Sequence, residues 1–128
     1  MFERLRKKYT ILHFCCDDAG LLRRAESLRR SGYRVLFTGN GFETVELCTR
    51  EPVDAVVLEL DRNGVEVALI AQEIKRRHPK LPTIMLTEST APGHAVHELA
   101  DALVPKENSP ELLKSLQKVL LPGVGAAI

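Results

Sequence analysis

The stretch VDAVVLEL (Val53–Leu60) is the most strand-like run in the sequence. It is apolar at almost every position, whereas a strand with one face in water alternates apolar and polar residues. Near-continuous apolarity is typical of a strand that is covered by other elements on both faces. We therefore predict that Val53–Leu60 forms a central strand of a sheet that lies between two layers of helices.

Strand-like and helix-like segments alternate on both sides of this run. The apolar periodicity predicts four more strands, Tyr9–Cys15, Tyr33–Gly39, Leu81–Thr87 and Ala100–Lys106. It also predicts five helices: one that starts at Asp18, one each at Phe42–Arg50 and Val65–His78, a short one at 93–99, and a closing helix at Ser109–Leu120. Strands and helices in βα order specify an α/β fold with a doubly wound, five-stranded parallel sheet.

Turn and cap signals define the ends of these helices. Gly32 is expected to stop the first helix, and Ser109 to cap the last one, with Pro110 at its first position. Helical spacing places Leu21, Ala25 and Leu28 on the inner face of the first helix, and its arginines, including Arg23 and Arg24, mostly on the outer face. The same spacing predicts Phe42, Val45 and Cys48 on one face of the second helix.

Length and charge limit the range of functions. The chain has 128 residues, enough for one domain with its own core, which we place at 9–121 between a basic tail at 1–8 and a flexible tail at 122–128. Its 18 basic and 17 acidic residues give a formal net charge of +1, so no overall charge favours nucleic acid or anionic lipid. We therefore predict that the protein binds neither nucleic acid nor a membrane.

Two further observations bear on location. No apolar run reaches the roughly 18 residues that span a bilayer, and the charged N-terminus lacks the apolar region of a signal peptide. The three cysteines, an odd number without CxxC spacing, fit reduced thiols better than disulfides. We expect a cytoplasmic protein without a membrane segment.

Candidate functional residues are those at the carboxyl ends of the predicted strands, where parallel α/β sheets carry their sites. Cysteines and carboxylates follow the first strand, carboxylates surround the end of the third, and single polar residues end the fourth and fifth. The candidates are Cys15, Cys16, Asp17, Glu59, Asp61, Thr87 and Lys106.

This pattern resembles the receiver domains of two-component response regulators over about Tyr9–Leu121. Receivers carry two acids that hold Mg²⁺ after the first strand, a phosphoaccepting aspartate after the third, Ser or Thr after the fourth and Lys after the fifth. Here VDAVVLEL places Glu59 at the acceptor position, PTIMLT matches with Thr87, and ADALVPK matches with Lys106. The resemblance implies a flavodoxin-like (CheY-like) strand order 2-1-3-4-5.

The sequence departs from the receiver pattern at the positions that carry chemistry. Cys15 and Cys16 stand at the acid pair, and Glu59 replaces the acceptor aspartate. Glu107 follows the lysine where a proline is usual, and Leu103 replaces the aromatic residue that moves on activation. The interval from Thr87 to Lys106 is also about three residues shorter than usual. The resemblance therefore implies the fold more firmly than the reaction.

The acid-pair change removes the ligands that Mg²⁺ prefers, since the ion takes hard oxygen ligands and thiols are soft and mostly protonated. Asp17 and Asp61 are weak candidate ligands, and no bound metal or other cofactor is expected. Glu59 reaches one methylene farther than aspartate, roughly where a phosphoryl group would lie. It either imitates the phosphorylated state through an ion pair with Lys106 or is a drifted residue that neutralises Lys106.

The predicted function is that of a non-enzymatic, degenerate receiver in phosphorelay signalling. It would act by protein contacts through the predicted helix at 93–99, the fifth strand and the closing helix, a face that receivers use for partners such as kinases and regulators and for homodimers. Two alternatives stay open. One is a receiver phosphorylated at Asp61 or Asp17, and the other is a thiol or soft-metal sensor built on Cys15 and Cys16.

Overall fold

The computed structural model describes residues 8–15, 18–60, 65–88 and 98–121. Five strands form one parallel sheet in the order β2-β1-β3-β4-β5. This confirms the predicted doubly wound α/β fold and its strand order. The strands are β1 (Thr10–Phe14), β2 (Arg34–Thr38), β3 (Ala55–Glu59), β4 (Thr83–Thr87) and β5 (Ala102–Pro105).

Helices cover both faces of the sheet, as the sequence predicts. Leu28 of one helix and Leu112 and Leu116 of another pack on one face, while Cys48 and Ile74 belong to the core on the other. The helices are α1 (Asp18–Arg30), α2 (Gly41–Arg50), α3 (Val65–Arg77) and α4 (Ser109–Leu120). The predicted short helix at 93–99 lies mostly outside the described residues, within which residues 98 and 99 are helical.

The central strand β3 is the most protected part of the sheet. Its residues Ala55, Val56, Val57 and Leu58 have no exposed surface, and they alternate between the two core clusters. Burial on both faces explains why the run lacks the polar alternation of a half-exposed strand. Its last residue, Glu59, lies at the carboxyl edge of the sheet.

Local signals set the ends of the helices, with one correction. Gly32 has a φ of 97°, the left-handed conformation that glycine adopts most easily, so the predicted stop after α1 is confirmed. The predicted Ser109 cap is wrong, because the Asn108 side chain accepts the hydrogen bond of the Glu111 amide. An Asn oxygen caps as well as a Ser oxygen, and the helix starts one residue before Pro110.

A second correction concerns α2. Phe42, predicted to share a face with Val45 and Cys48, is 77% exposed, whereas Cys48 is buried. Thr44 has no exposed surface, so α2 turns Thr44 and Cys48 rather than Phe42 and Val45 most fully toward the core. Within the described residues no helix is long and apolar enough to cross a membrane.

Candidate functional site

The carboxyl edge of the sheet brings three of the sequence-predicted site residues together. Cys15 follows β1, Glu59 ends β3 and Lys106 follows β5. The thiol of Cys15 donates a hydrogen bond to Oε2 of Glu59, and Nζ of Lys106 lies 3.4 Å from Oε1 of the same carboxylate. Glu59 is thus the centre of the site, and the expected ion pair with Lys106 is present.

The shortest ion pair of Glu59 involves a residue that sequence reasoning placed elsewhere. Nη2 of Arg24 lies 2.6 Å from Oε1 of Glu59. The side chains are 11% and 9% exposed, so the pair is almost fully shielded from water. The prediction that Arg24 lies on the outer face of α1 is therefore wrong.

Helical geometry explains the position of Arg24. Residue 24 is one position before Ala25 and four before Leu28, which are both buried, so it lies beside the inner stripe of α1. A long side chain at the edge of that stripe extends along the apolar surface and reaches Glu59 with its charged end. In the sequence, Leu21, Arg24, Ala25 and Leu28 have the i, i+3, i+4, i+7 spacing, and this signal could have identified Arg24 as a site residue.

A buried histidine lies on the other side of the guanidinium. His13, in the middle of β1, has no exposed surface, and its Nε2 accepts a hydrogen bond from Nε of Arg24 at 3.4 Å. Its Nδ1 therefore carries the proton and donates to the carbonyl of Phe14 at 3.2 Å. Burial, and then the charge of Arg24, lower the pKa of His13 to about 4, so the ring is neutral at pH 7.

The carboxylate itself is kept ionised. Burial alone would raise the pKa of Glu59, but the Cys15 hydrogen bond and the charges of Arg24 and Lys106 outweigh it and lower the pKa below its ordinary value. The negative charge of Glu59 is therefore already compensated by two cations from the protein itself. Such a group has little tendency to attract a further cation or to attack a phosphoryl donor.

An open cleft of about 560 Å³ leads to this cluster. Its walls carry charges of both signs, since Lys106 also lies 3.4 Å from Oε1 of the exposed Glu88. The cleft is lined by Gly20, Arg23, Arg24, Glu59, Glu88, Lys106, Glu107 and Ser109.

Two other predicted site residues, Thr87 and Leu103, lie within strands of the sheet. Thr87 is the buried last residue of β4, and its carbonyl accepts a hydrogen bond from the amide of Lys106 at 3.0 Å. Leu103, in β5, is partly buried against the core under α2 and α3. Cys16, Asp17 and Asp61 lie outside the described residues, so the predictions about them stay predictions.

Solved structures with a similar backbone include chemotaxis and receiver proteins. The chemotaxis protein CheY4 of Vibrio cholerae matches with a TM-score of 0.80 and 20% identity over 89% of this chain and 100% of that one. The receiver domain of a sensor histidine kinase from Pseudomonas aeruginosa, with a magnesium ion in its active site cleft, matches with a TM-score of 0.79 and 21% identity. The match covers 89% of this chain and 98% of that one.

The response regulator TrrA from Thermotoga maritima, in complex with Mg²⁺-BeF, matches with a TM-score of 0.76 and 24% identity over 89% of this chain and 100% of that one. The chain has the receiver fold. No protein-family model and no curated protein matches the sequence. The likeness therefore rests on the path of the backbone, and the chemistry of the site has to be judged from the side chains.

The receiver fold raises the question whether this edge of the sheet fits Mg²⁺. The described groups around Glu59 are a thiol, a guanidinium and an ammonium, none of which is a ligand that Mg²⁺ prefers. Both cations lie against the single carboxylate oxygen Oε1 and would repel a third. These described groups do not fit Mg²⁺, and within the described residues no group of three His, Cys, Asp or Glu side chains is arranged to hold a metal.

Proposed function

We propose that this chain is a receiver-like signalling domain of a two-component pathway that works without Mg²⁺-dependent phosphorylation. It is not an enzyme in this proposal, and it transmits information by binding other proteins. One observation carries the proposal: Glu59, at the end of the central strand, pairs with Arg24 and Lys106 and accepts a hydrogen bond from the Cys15 thiol.

Phosphoryl transfer in this fold needs a nucleophile and a cation that neutralises the transferred group. In the described part of the pocket, the carboxylate that stands in the acceptor position is already held by two cations. A phosphodonor would have to separate the 2.6 Å pair between Arg24 and Glu59 before the carboxylate could attack. The cost of that separation adds to the barrier of the reaction, which supports a constitutive rather than a switched domain.

The ion pair with Lys106 supports both interpretations of Glu59. A carboxylate that fixes Lys106 in one position imitates what a phosphoryl group would do, and a drifted residue would neutralise Lys106 in the same way. The buried Arg24 favours fixation, because it restrains the carboxylate from a second direction. We therefore propose that the domain is held permanently in one signalling conformation.

The partner surface in this proposal is the face formed by the segment at 93–99, β5 and α4. Kinases, downstream regulators or a second copy of the chain are the partners, and neither nucleic acid nor a membrane is involved. The proposed location is the cytoplasm, where such pathways operate. Pull-down with the wild-type chain, compared with a Lys114→Glu variant on the exposed side of α4, would test whether this face is used.

The reaction is tested by incubating the chain with acetyl phosphate and Mg²⁺ and measuring its intact mass. The expected result is no adduct of phosphate mass, while a receiver with both acids and the acceptor aspartate, treated in parallel, gains one. An adduct that disappears in the Asp61→Asn or Asp17→Asn variant would replace the proposal by that of an atypical phosphoacceptor.

The thiol alternative has its own measurement. Cys15 is buried and its thiol is engaged with Glu59, so it is a poor ligand for a soft metal. Metal analysis of protein purified without chelator is expected to give far less than one zinc per chain. One zinc per chain that is lost in the Cys15→Ser or Cys16→Ser variant would establish a soft-metal sensor instead.

A further inference from the structure

Large apolar side chains are strongly exposed at four positions of the described chain, one pair on the helices α2 and α3 and the other on the neighbouring elements α1 and β2. Phe42 on α2 and Leu69 on α3 are 77% and 61% exposed. Leu22 on α1 and Phe37 on β2 are 57% and 41% exposed. A cluster of such residues, unlike single ones, indicates a contact surface.

The first pair lies in an acidic environment. Phe42 and Leu69 line one cleft of about 530 Å³ between α2 and α3, and Glu66 lines it with them. Glu73 lines it too, but two arginines of α3 pair with it. The described residues that line this cleft include no lysine or arginine. Glu46 follows Phe42 by one helical turn and is exposed. We refer to Phe42, Glu46, Glu66 and Leu69 as the acidic patch.

The second pair lies in a basic environment. The guanidinium of Arg29 lies 5.7 Å from the centre of the Phe37 ring. Leu22 and Arg29 are seven residues apart on α1 and therefore share one face of the helix. Arg23 and Arg30 are exposed beside them, and Arg30 also pairs with Glu26. We refer to Leu22, Arg23, Arg29, Arg30 and Phe37 as the basic patch.

The two patches lie on opposite faces of the sheet, because α1 packs with α4 on one face and α2 packs with α3 on the other. One molecule can therefore use both patches at once without obstruction. Their charges are opposite, and each has two apolar side chains to bury. Each patch thus supplies what the other lacks.

We propose that copies of this chain associate head to tail, with the basic patch of one copy bound to the acidic patch of the next. The occupant of each patch is thus a second copy of the chain. The contact is heterologous, so it forms a ring or an open row of subunits rather than a two-fold dimer. It uses neither Glu59 nor the face formed by 93–99, β5 and α4, so the charge-reversed variants described below distinguish it from a homodimer on that face.

A contact between two small patches is weak, and its charged rim makes it sensitive to salt. Sedimentation velocity of the wild-type chain, from about 10 µM to about 1 mM, is expected to show a weight-average sedimentation coefficient that rises with concentration. The rise should shrink when the ionic strength increases from about 0.05 M to about 0.5 M, because the Debye length falls several-fold. A coefficient that is independent of concentration in low salt would overturn the proposal.

Two charge-reversed variants make the test specific. The Glu46→Lys/Glu66→Lys variant carries two basic patches, and the Arg29→Glu/Arg30→Glu variant carries two acidic ones. Each variant should stay monomeric alone, because its two patches have the same sign and neighbouring copies repel. An equimolar mixture should associate, because the two basic patches of one variant attract the two acidic patches of the other. All reversed positions are exposed, so circular dichroism is expected to confirm that both variants are folded.

Two controls complete the design. Lys80→Glu reverses an exposed charge in the turn before β4, outside both patches and outside the face formed by 93–99, β5 and α4, and should leave the sedimentation behaviour of the wild type unchanged. Phe42→Ser/Leu69→Ser removes the apolar centre of the acidic patch and should abolish association in low salt. Association that survives this variant, or a variant mixture that stays monomeric, would also overturn the proposal.

Discussion

Replacing Arg24 by Met removes the closer of the two cations that pair with the nearly buried Glu59 and leaves Lys106 as the other. Arg24 and Glu59 are 2.6 Å apart, and their side chains are 11% and 9% exposed. Breaking a buried ion pair costs about 3–5 kcal/mol, because the remaining charge is left without its partner. Since Lys106 still lies 3.4 Å from the carboxylate, we expect the lower end, about 3 kcal/mol.

The assay is thermal unfolding followed by circular dichroism. For a domain of this size, about 3 kcal/mol corresponds to a fall in Tm of roughly 10 to 15 °C. The matched control is Arg30→Met, which removes a pair of nearly the same length, 2.7 Å to Glu26, whose side chains are 77% and 63% exposed. An exposed pair contributes about 0.3–0.5 kcal/mol, so the control should barely move.

A double-mutant cycle isolates the pair. Glu59→Gln in the Arg24→Met background removes the carboxylate that has lost its closer cation, so the double variant should be more stable than the sum of the single effects predicts, by about 2 kcal/mol. Equal falls in Tm for Arg24→Met and Arg30→Met, or a coupling energy near zero, would refute the view that Arg24 is the main partner of Glu59.

Three further outcomes follow from the described contacts. Burial lowers the pKa of His13 to about 4, so the folded state favours the neutral ring. This contribution to the free energy of unfolding is complete above pH 6.5 and is lost as the pH falls through 4; urea titrations should show a loss of about 3 kcal/mol over this window that His13→Leu largely removes. Lys106→Met should cost only about 1 kcal/mol in the same titrations at pH 7, because Glu59 keeps the closer Arg24; a cost above that of Arg24→Met would contradict this order. Asn108→Ala should cost about 1 kcal/mol and Ser109→Ala clearly less, whereas the reverse order would restore Ser109 as the cap.

The backbone of this chain could be predicted from its sequence because apolar periodicity and burial agree along most of it. Val53–Leu60 is continuously apolar, and its strand is covered on both faces, so one pattern fixed both its structure and its place in the sheet. Phe42 failed the same argument. Spacing gives the set of residues that share a face, but packing against α3 decides which face of α2 turns inward.

The site was predictable to the extent that strand ends meet at one edge. Cys15, Glu59 and Lys106 each follow or end a parallel strand, so the topology alone brings them together. Arg24 comes from a helix, and an arginine is most often exposed, so its type and position gave opposite indications. Whether Arg24 is exposed or buried is decided by the depth of the pocket beside α1, and that depth depends on all the elements that surround it.

Lys106 lies at the same distance, 3.4 Å, from a nearly buried carboxylate and from an exposed one. Dissolved ions weaken these two attractions unequally, because water and counterions reach Glu88 freely and Glu59 hardly at all. Concentrated salt should therefore release the lysine from Glu88 and leave it to Glu59. Conditions that loosen most surface charge pairs would thus leave the centre of this domain paired.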